Sequence, residues 1–257
     1  MNIYVCIKQV PDTEATLLVK DGISINENDI KWIMSPYDEY ALEEALKLKE
    51  KLPGSTVTVV TLGPIRVEST LRTGLAMGAE NAIHIETTEL FPDHKTIAAA
   101  LGNAIKQDAG YGIIFMGKQA IDDDSYLTHI YLAEHLGIPV ATNVIAFSHD
   151  NGNVVVEREI DEGAREKIEM SAPCVIGATK GLNTPRYASL MGIMKAKKIP
   201  IKKLSFQDLG ISQASNKIKR EKLYAPPEKP QGRIIPGEIE DAVKELVKVL
   251  KEEAKVL

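Results

Sequence analysis

The feature that most constrains this chain is the regular alternation, from Asn2 to Gly137, of short β-branched runs with helical patterns. Asn2–Lys8 (NIYVCIK) is apolar on both sets of alternate positions, as a strand covered on both faces requires. Ser55–Thr61 (STVTVVT), Asn81–Ile85 and Gly112–Met116 (GIIFM) repeat the type. Between them, helical spacing predicts helices from Ser35-Pro36, over Val67–Met77, over Thr96–Gln107 and from about Asp124 to Leu136. In the first, Ser35 is placed to cap, Pro36 suits the first turn, and Asp38 and Glu39 face the positive end of the dipole. Pro53-Gly54 ends it, and Gly137 with Pro139 ends the last. Such alternation implies an α/β fold, a Rossmann-like parallel sheet with right-handed crossovers and helices on both faces. Ligands then sit at the carboxyl ends of the strands.

After Asn151 the pattern changes. Asn151-Gly152-Asn153 turns, Val154–Ile160 (VVVEREI) is a strand, Asp161-Glu162-Gly163 turns again, and Glu166–Ser171 returns as a β-hairpin. Cys174–Ala178 adds a strand. Gly181–Lys203 has no clean period, although it holds Leu182, Tyr187, Leu190, Met191, Ile193 and Met194. From 206 the chain is polar and proline-bearing, an extended C-terminal arm. A final helix over Glu238–Val256 carries Ile239, Val243, Leu246 and Leu250 on one face. The expected division is a domain over 1–205 and an arm over 206–257 that packs on another surface.

The net charge of −5 and the lack of a long basic run before the tail argue against nucleic acid as a partner. Apolar runs fall short of the roughly 20 residues that span a bilayer. The chain enters a strand-like run at once, leaving no room for a secretion signal. The expectation is a cytoplasmic protein with no direct membrane insertion. Cys6 and Cys174 lie singly in apolar stretches and read as small buried hydrophobes, with no metal or disulfide framework.

The loop GKQAIDDDSYLT (Gly117–Thr128) is the richest in chemistry. One acid or Ser serves as a helix cap, whereas three consecutive acids exceed what a cap needs. The loop is therefore either an overcharged helix start or a ligand loop. As a ligand loop, Gly117 permits close approach, backbone N–H groups face phosphate, and a carboxylate accepts from ribose or base. Lys118 or Arg66 would then neutralise an Asp. No G-x-x-x-x-G-K-[ST] loop, G-x-G-x-x-G turn or G-x-S-x-G elbow is present. His129 and His135 read as polar surface or cap residues. With no nucleophile–base–orienter set, no catalytic residue is assigned, and the chain reads as a carrier or scaffold.

Beyond these local signals, VCIKQVPD (Val5–Asp12), LGPIRVESTLRTGLAMGAENAIHI (Leu62–Ile85), GKQAIDDDSYLT and VEREIDEG (Val156–Gly163) with LNTPRYASLMGIMKAKKIPI (Leu182–Ile201) together resemble the electron transfer flavoprotein beta (small) subunit. The resemblance covers about the first four-fifths of the chain. It implies an adenine-nucleotide alpha-hydrolase-like fold and a heterodimer with an alpha subunit that holds most of the FAD. A flavin-dependent, acyl-CoA-type dehydrogenase would supply the electrons. It also implies AMP in this subunit, held at Cys6, Ser35, Pro36, Tyr37, Asp38, Leu62, Gly117, Lys118, Gln119, Ala120, Ile121, Asp122, Asp123, Asp124, Ser125 and Thr128. Ser35 stands where Asn is common, and Ser125-Tyr126-Leu127 where a more polar stretch is common.

Tyr37, Arg158 and Glu159 match positions near the partner's FAD, with Tyr37 flanking the flavin and Glu159 fixing Arg158 or tuning charge. The segment 182–198 matches a protruding recognition loop that docks the dehydrogenase, through Leu182, Pro185, Arg186, Tyr187, Leu190, Met191, Ile193 and Met194. On its residues alone Leu190 reads as core. Some members hold a second FAD in place of AMP and oxidise NADH, tending to carry Asp-Gly-Asp-Thr in the acidic loop. Here Asp123 occupies the Gly position, which favours AMP over FAD.

Overall fold

The structure, a computed structural model, describes residues 1–88, 92–108, 110–211, 217–227 and 231–257. The parts of the expected C-terminal arm at 212–216 and 228–230 lie outside the described residues. The chain forms two compact units, Met1–Lys222 and Leu223–Leu257.

In the first unit the alternating pattern gives β1 (Asn2–Cys6), β2 (Gln9–Pro11), β3 (Trp32–Met34), α1 (Pro36–Lys51), β4 (Thr56–Gly63), α2 (Glu68–Met77), β5 (Asn81–Glu86), α3 (His94–Lys106), β6 (Tyr111–Gly117) and α4 (Thr128–Leu136). Then follow β7 (Val140–Asp150), β8 (Asn153–Glu159), β9 (Arg165–Ser171), β10 (Cys174–Ala178), α5 (Leu190–Ala196) and β11 (Ile201–Ser205). One nine-stranded sheet runs β11-β5-β4-β1-β6-β10-β7-β8-β9. Pairings from β11 to β7 are parallel, and β7-β8-β9 is an antiparallel extension. The α/β expectation and the hairpin of β8 and β9 are both met.

Strand residues alternate between two cores. Ile3, Val5 and Ile7 join α1 and α2 residues on one face, while Tyr4 and Cys6 join α3 and α4 residues on the other. Ile113 and Phe115 against Ile114 and Met116 repeat this in β6. Period-2 side-chain geometry forces both sets to be apolar when both faces are covered. Cys6 and Cys174 are buried and unbridged.

Four local expectations are corrected. The helix after the acidic loop starts at Thr128, not near Asp124, because Asp124 (φ 47°) and Tyr126 (φ 58°) are left-handed and cannot enter a helix. Ser35 precedes α1, but its buried hydroxyl makes no cap bond and has no partner among the described residues. The stretch over Gly181–Lys203 contains a short helix, α5, and an edge strand, β11. The latter pairs with β5, and its IKKLS composition hides it from an apolar-periodicity reading. Finally, the 11-residue β7 was not anticipated. Its alternation is broken by Asn143 at φ 56° and by a register shift between Val144 and Ala146.

Phe206 and Leu209, expected in the arm, are buried with the α3–α4 core. In the second unit α6 (Ile239–Glu252) is a helix whose Ile239, Val243, Leu246 and Val247 are exposed. Arg233 of the same unit pairs with Glu253 at 3.2 Å.

Candidate functional site

Chain order places β4 and β5 on one side of β1 and β6 on the other, so the strand order reverses between β1 and β6. Crossovers diverge there and leave a crevice beyond the strand ends. A cleft of about 650 Å³, counting its open mouth, occupies that place. Cys6, Ile7, Lys8, Leu62, Met116 and Gly117 form its base at the ends of β1, β4 and β6. His94, Ile97 and Leu101 of α3 and Leu127, Thr128 and His129 at α4 form its walls, and Lys118, Gln119, Ala120, Asp123 and Ser125 its lip.

Asp38 ties the two diverging strands together. Its buried carboxylate accepts from the Lys8 N–H at 2.7 Å and the Gly117 N–H at 2.8 Å. Burial pushes this carboxyl up to about 7, against the two N–H bonds and Lys8 that favour the anion. At Gly117 a Cβ would lie 2.7 Å from both Asp38 Oδ1 and Tyr37 Cβ, so only glycine lets β6 approach α1 this closely.

Lys8 Nζ donates to Asp122 Oδ1 at 2.8 Å and to Asp123 Oδ2 at 2.9 Å. The counter-ion of the acidic run is this ammonium, not Lys118 or Arg66. Lys118 Nζ instead lies over the rings of Tyr37 and Tyr126, at 5.3 and 5.2 Å. Arg66 stacks at 3.6 Å on Trp32 and bonds Gln9 and Glu27. Lys8 holds Asp123 below the usual carboxylate range despite partial burial. Asp124 is drawn back by Gln119 Nε2. Several loop N–H groups are already engaged: Lys118 donates to Ala178 O, Asp124 to Ala120 O and Ser125 to Asp123 Oδ1.

His94 Nδ1 lies 3.0 Å from Thr128 Oγ1 and 3.5 Å from Ser125 Oγ, while its Nε2 is 3.9 Å from Asp123. One imidazole nitrogen shared by two hydroxyls, facing a carboxylate tied to Lys8, makes a polar lip and not an activated nucleophile. His129, expected at the surface or as a cap, is 1% exposed, and its buried Nε2 has no partner among the described residues. Burial pushes its imidazole down to about 4. His135 is a structural bridge, its Nε2 2.8 Å from Asn103 Oδ1.

Of the residues assigned to the nucleotide by resemblance, Cys6, Asp38, Leu62, Gly117, Lys118, Gln119, Ala120, Asp123, Ser125 and Thr128 line one cleft. Ser35, Pro36, Tyr37, Ile121, Asp122 and Asp124 lie outside its lining. Ile7, Lys8, His94, Ile97, Leu101, Met116, Leu127 and His129 also line it and were missed. Lys8 had a readable signal: a cation at the carboxyl end of a buried strand, in a chain whose acidic loop needs one. Far along the sheet, Arg158 Nε donates to Glu166 Oε2 at 2.6 Å. The register sets Glu159 opposite Arg165, and since neighbours on a strand face opposite sides, Glu159 is turned away from Arg158.

The segment 182–198 is anchored at both ends. Arg186 grips Glu43 through Nε at 2.8 Å and Nη2 at 3.0 Å, and Nη1 reaches Glu50 at 2.9 Å. Asn183 bonds the Tyr40 carbonyl and Glu44, and Leu182 packs on the α1 core. Ser189 caps α5 by accepting from the Gly192 N–H at 3.0 Å. At Gly192 a Cβ would lie 2.3 Å from the Ala76 carbonyl oxygen, so α5 lies flush on α2. Arg72 closes the far end on the Ala196 and Ile199 carbonyls. Tyr187, Leu190, Met191 and Met194 are left 98, 75, 80 and 62% exposed. Leu190 is therefore not core.

Comparison with known proteins agrees with this architecture. An electron transfer flavoprotein domain model matches residues 22–209. The electron transfer flavoprotein subunit beta of Bacillus subtilis (strain 168) is 41% identical over 261 residues, covering all of both chains. The mitochondrial subunit beta of Arabidopsis thaliana is 40% identical over 260 residues, again over the whole of both. The Caffeyl-CoA reductase-Etf complex subunit CarD of Acetobacterium woodii is 36% identical over 261 residues, covering 98% of each. With a matched domain spanning most of the sheet and full-length relatives at this identity, the chain belongs to the electron transfer flavoprotein family as a beta subunit.

Proposed function

We propose that this chain is the beta subunit of a heterodimeric cytoplasmic electron carrier, and that its switch-point cleft holds AMP as a structural nucleotide. FAD, held mainly by the alpha subunit, passes the electrons of an acyl-CoA-type flavin dehydrogenase to an acceptor. The observation that carries the nucleotide assignment is the cleft itself. Leu62, Ile97, Leu101 and Met116 offer apolar walls to a base, and cations stand at the mouth. Lys118 makes no ion pair among the described residues, so it is available to a phosphate.

The acidic lip argues for a monophosphate over the pyrophosphate of a second FAD. Asp122 and Asp123 share one ammonium, Lys8, and keep one net negative charge. A pyrophosphate crossing that lip would meet like charge, whereas a single phosphate can remain beside Lys118. Tyr187, Leu190, Met191 and Met194 form the dehydrogenase-docking surface, an apolar group on a segment anchored to α1 and α2. Denaturing the purified heterodimer and identifying its nucleotides tests the assignment. One FAD and one AMP are expected per dimer; two FAD would overturn it and favour the NADH-oxidising form.

A further inference from the structure

His94 and Asp123 face each other across the cleft lip without touching. Both line the cleft, and their side chains keep 20 and 33% of their surface exposed, so a ligand can reach them. His94 opens α3, directly after Asp93, whose carboxylate caps that helix by accepting from the Thr96 N–H at 2.7 Å. On the other side, Asp123 Oδ1 accepts from the Ser125 N–H at 3.1 Å and Oδ2 from Lys8 Nζ at 2.9 Å. Each group is thus held from its own side of the lip. His94 Nε2 and Asp123 Oδ2 lie 3.9 Å apart, too far for a direct hydrogen bond.

The surroundings set which partner acts as donor. Nδ1 of His94 lies 3.0 Å from Thr128 Oγ1, whose hydroxyl can donate to it. A lone pair on Nε2 would point at a carboxylate and be repelled, so Nε2 carries the proton and Nδ1 accepts. Burial opposes charge on Asp123, but Lys8 prevails and keeps it an anion, which only accepts. One oxygen at an ordinary hydrogen-bond length of about 2.8 Å from each can bridge such a pair. That oxygen must accept from the imidazole and donate to the carboxylate. A hydroxyl does both. A phosphate oxyanion only accepts and is repelled by Asp123, and the exocyclic amino group of a base only donates. We infer that His94 and Asp123 form the ribose-reading pair of the cleft, bridged by a sugar hydroxyl of the bound nucleotide. This rests on the nucleotide reading above and adds the part of the ligand that the lip recognises. The same negative charge that disfavours a pyrophosphate there strengthens a bond from a hydroxyl.

The experiment uses the complete heterodimer, depleted of nucleotide and titrated calorimetrically with AMP and with its two monodeoxy analogues, each lacking one ribose hydroxyl. In the unaltered protein one analogue should bind roughly 10- to 100-fold more weakly than AMP, the range for a lost hydrogen bond to a charged group. His94→Leu removes the donor, and the gap between AMP and that analogue should shrink severalfold. Asp123→Ala should shrink it too, and His94→Gln, whose amide can donate, should keep most of it. A general disturbance of the cleft would weaken AMP and the analogue alike, so an unchanged ratio in His94→Leu or Asp123→Ala would overturn the pair. Both analogues binding the unaltered protein as tightly as AMP would overturn the inference while leaving the nucleotide reading intact. Failure of the unaltered protein to bind AMP would overturn the nucleotide reading and the inference together.

Discussion

Replacing Gly117 by Ala probes the point on which the cleft's geometry turns. The new methyl would lie 2.7 Å from Asp38 Oδ1, 2.7 Å from Tyr37 Cβ and 3.0 Å from the Tyr37 carbonyl carbon. None of these is the far end of a flexible side chain: Asp38 is pinned by two N–H bonds, and the others belong to the first turn of α1. Overpacking a buried site costs about 1–3 kcal/mol, and weakening the Gly117 N–H bond to a carboxylate adds about 1.5–3 kcal/mol when the bond is fully lost. A combined loss of about 3 kcal/mol is expected, or a melting temperature lower by about 9 °C for a chain of this size. The assay is urea unfolding followed by circular dichroism, with nucleotide content measured on the same samples. Gly232→Ala, where a Cβ meets nothing within 4 Å, serves as the comparison. If Gly117→Ala matched the unaltered protein in both midpoint and nucleotide content, Asp38 and a bare backbone would not be what holds β1 and β6 at the cleft.

Gly192→Ala should push α5 off the Ala76 carbonyl and slow electron transfer from the dehydrogenase, although every apolar anchor is retained. Unchanged transfer rates at limiting dehydrogenase would separate α5 placement from docking. Leu190→Ala should lower the second-order transfer rate about tenfold, the scale of a strong interface anchor, with flavin content intact; an unaltered rate would remove Leu190 from the docking surface. His129 predicts a pH dependence. Its ring titrates at about 4 in the folded chain against 6.5 for an unperturbed imidazole, so between these values the unfolded chain holds more protons. Stability therefore falls as pH drops below that unperturbed value, by about 2 kcal/mol at about pH 5. Nucleotide-free His129→Leu should lack that part of the acid loss, and parallel midpoint–pH curves for the two proteins would count against a buried neutral ring.

How much of this was legible depends on range. Doubly covered strands need apolar residues at every position, and helices need theirs at every third or fourth, so β1, β4, β5, β6 and their helices announce themselves locally. The hairpin of β8 and β9 does so through its turn residues. The irregular β7 and the lysine-bearing edge strand β11 do not, because an interrupted or half-solvated strand has no burial pattern to print.

The same division runs through the site. Sequence alone determined an α/β sheet, the end of it where ligands are expected, an acidic loop after β6, and a long-range family likeness. Only tertiary structure decided that Lys8, more than 100 residues away, is the counter-ion of that loop. The same holds for Asp38 as the brace between two strands, for His129 packing inward over Gly177 instead of outward, and for Leu190 standing exposed on an anchored helix. Hydrogen bonds and ion pairs are decided at about 3 Å between groups that chain order separates. Local propensity sets which elements form, and their packing alone sets which side chains meet.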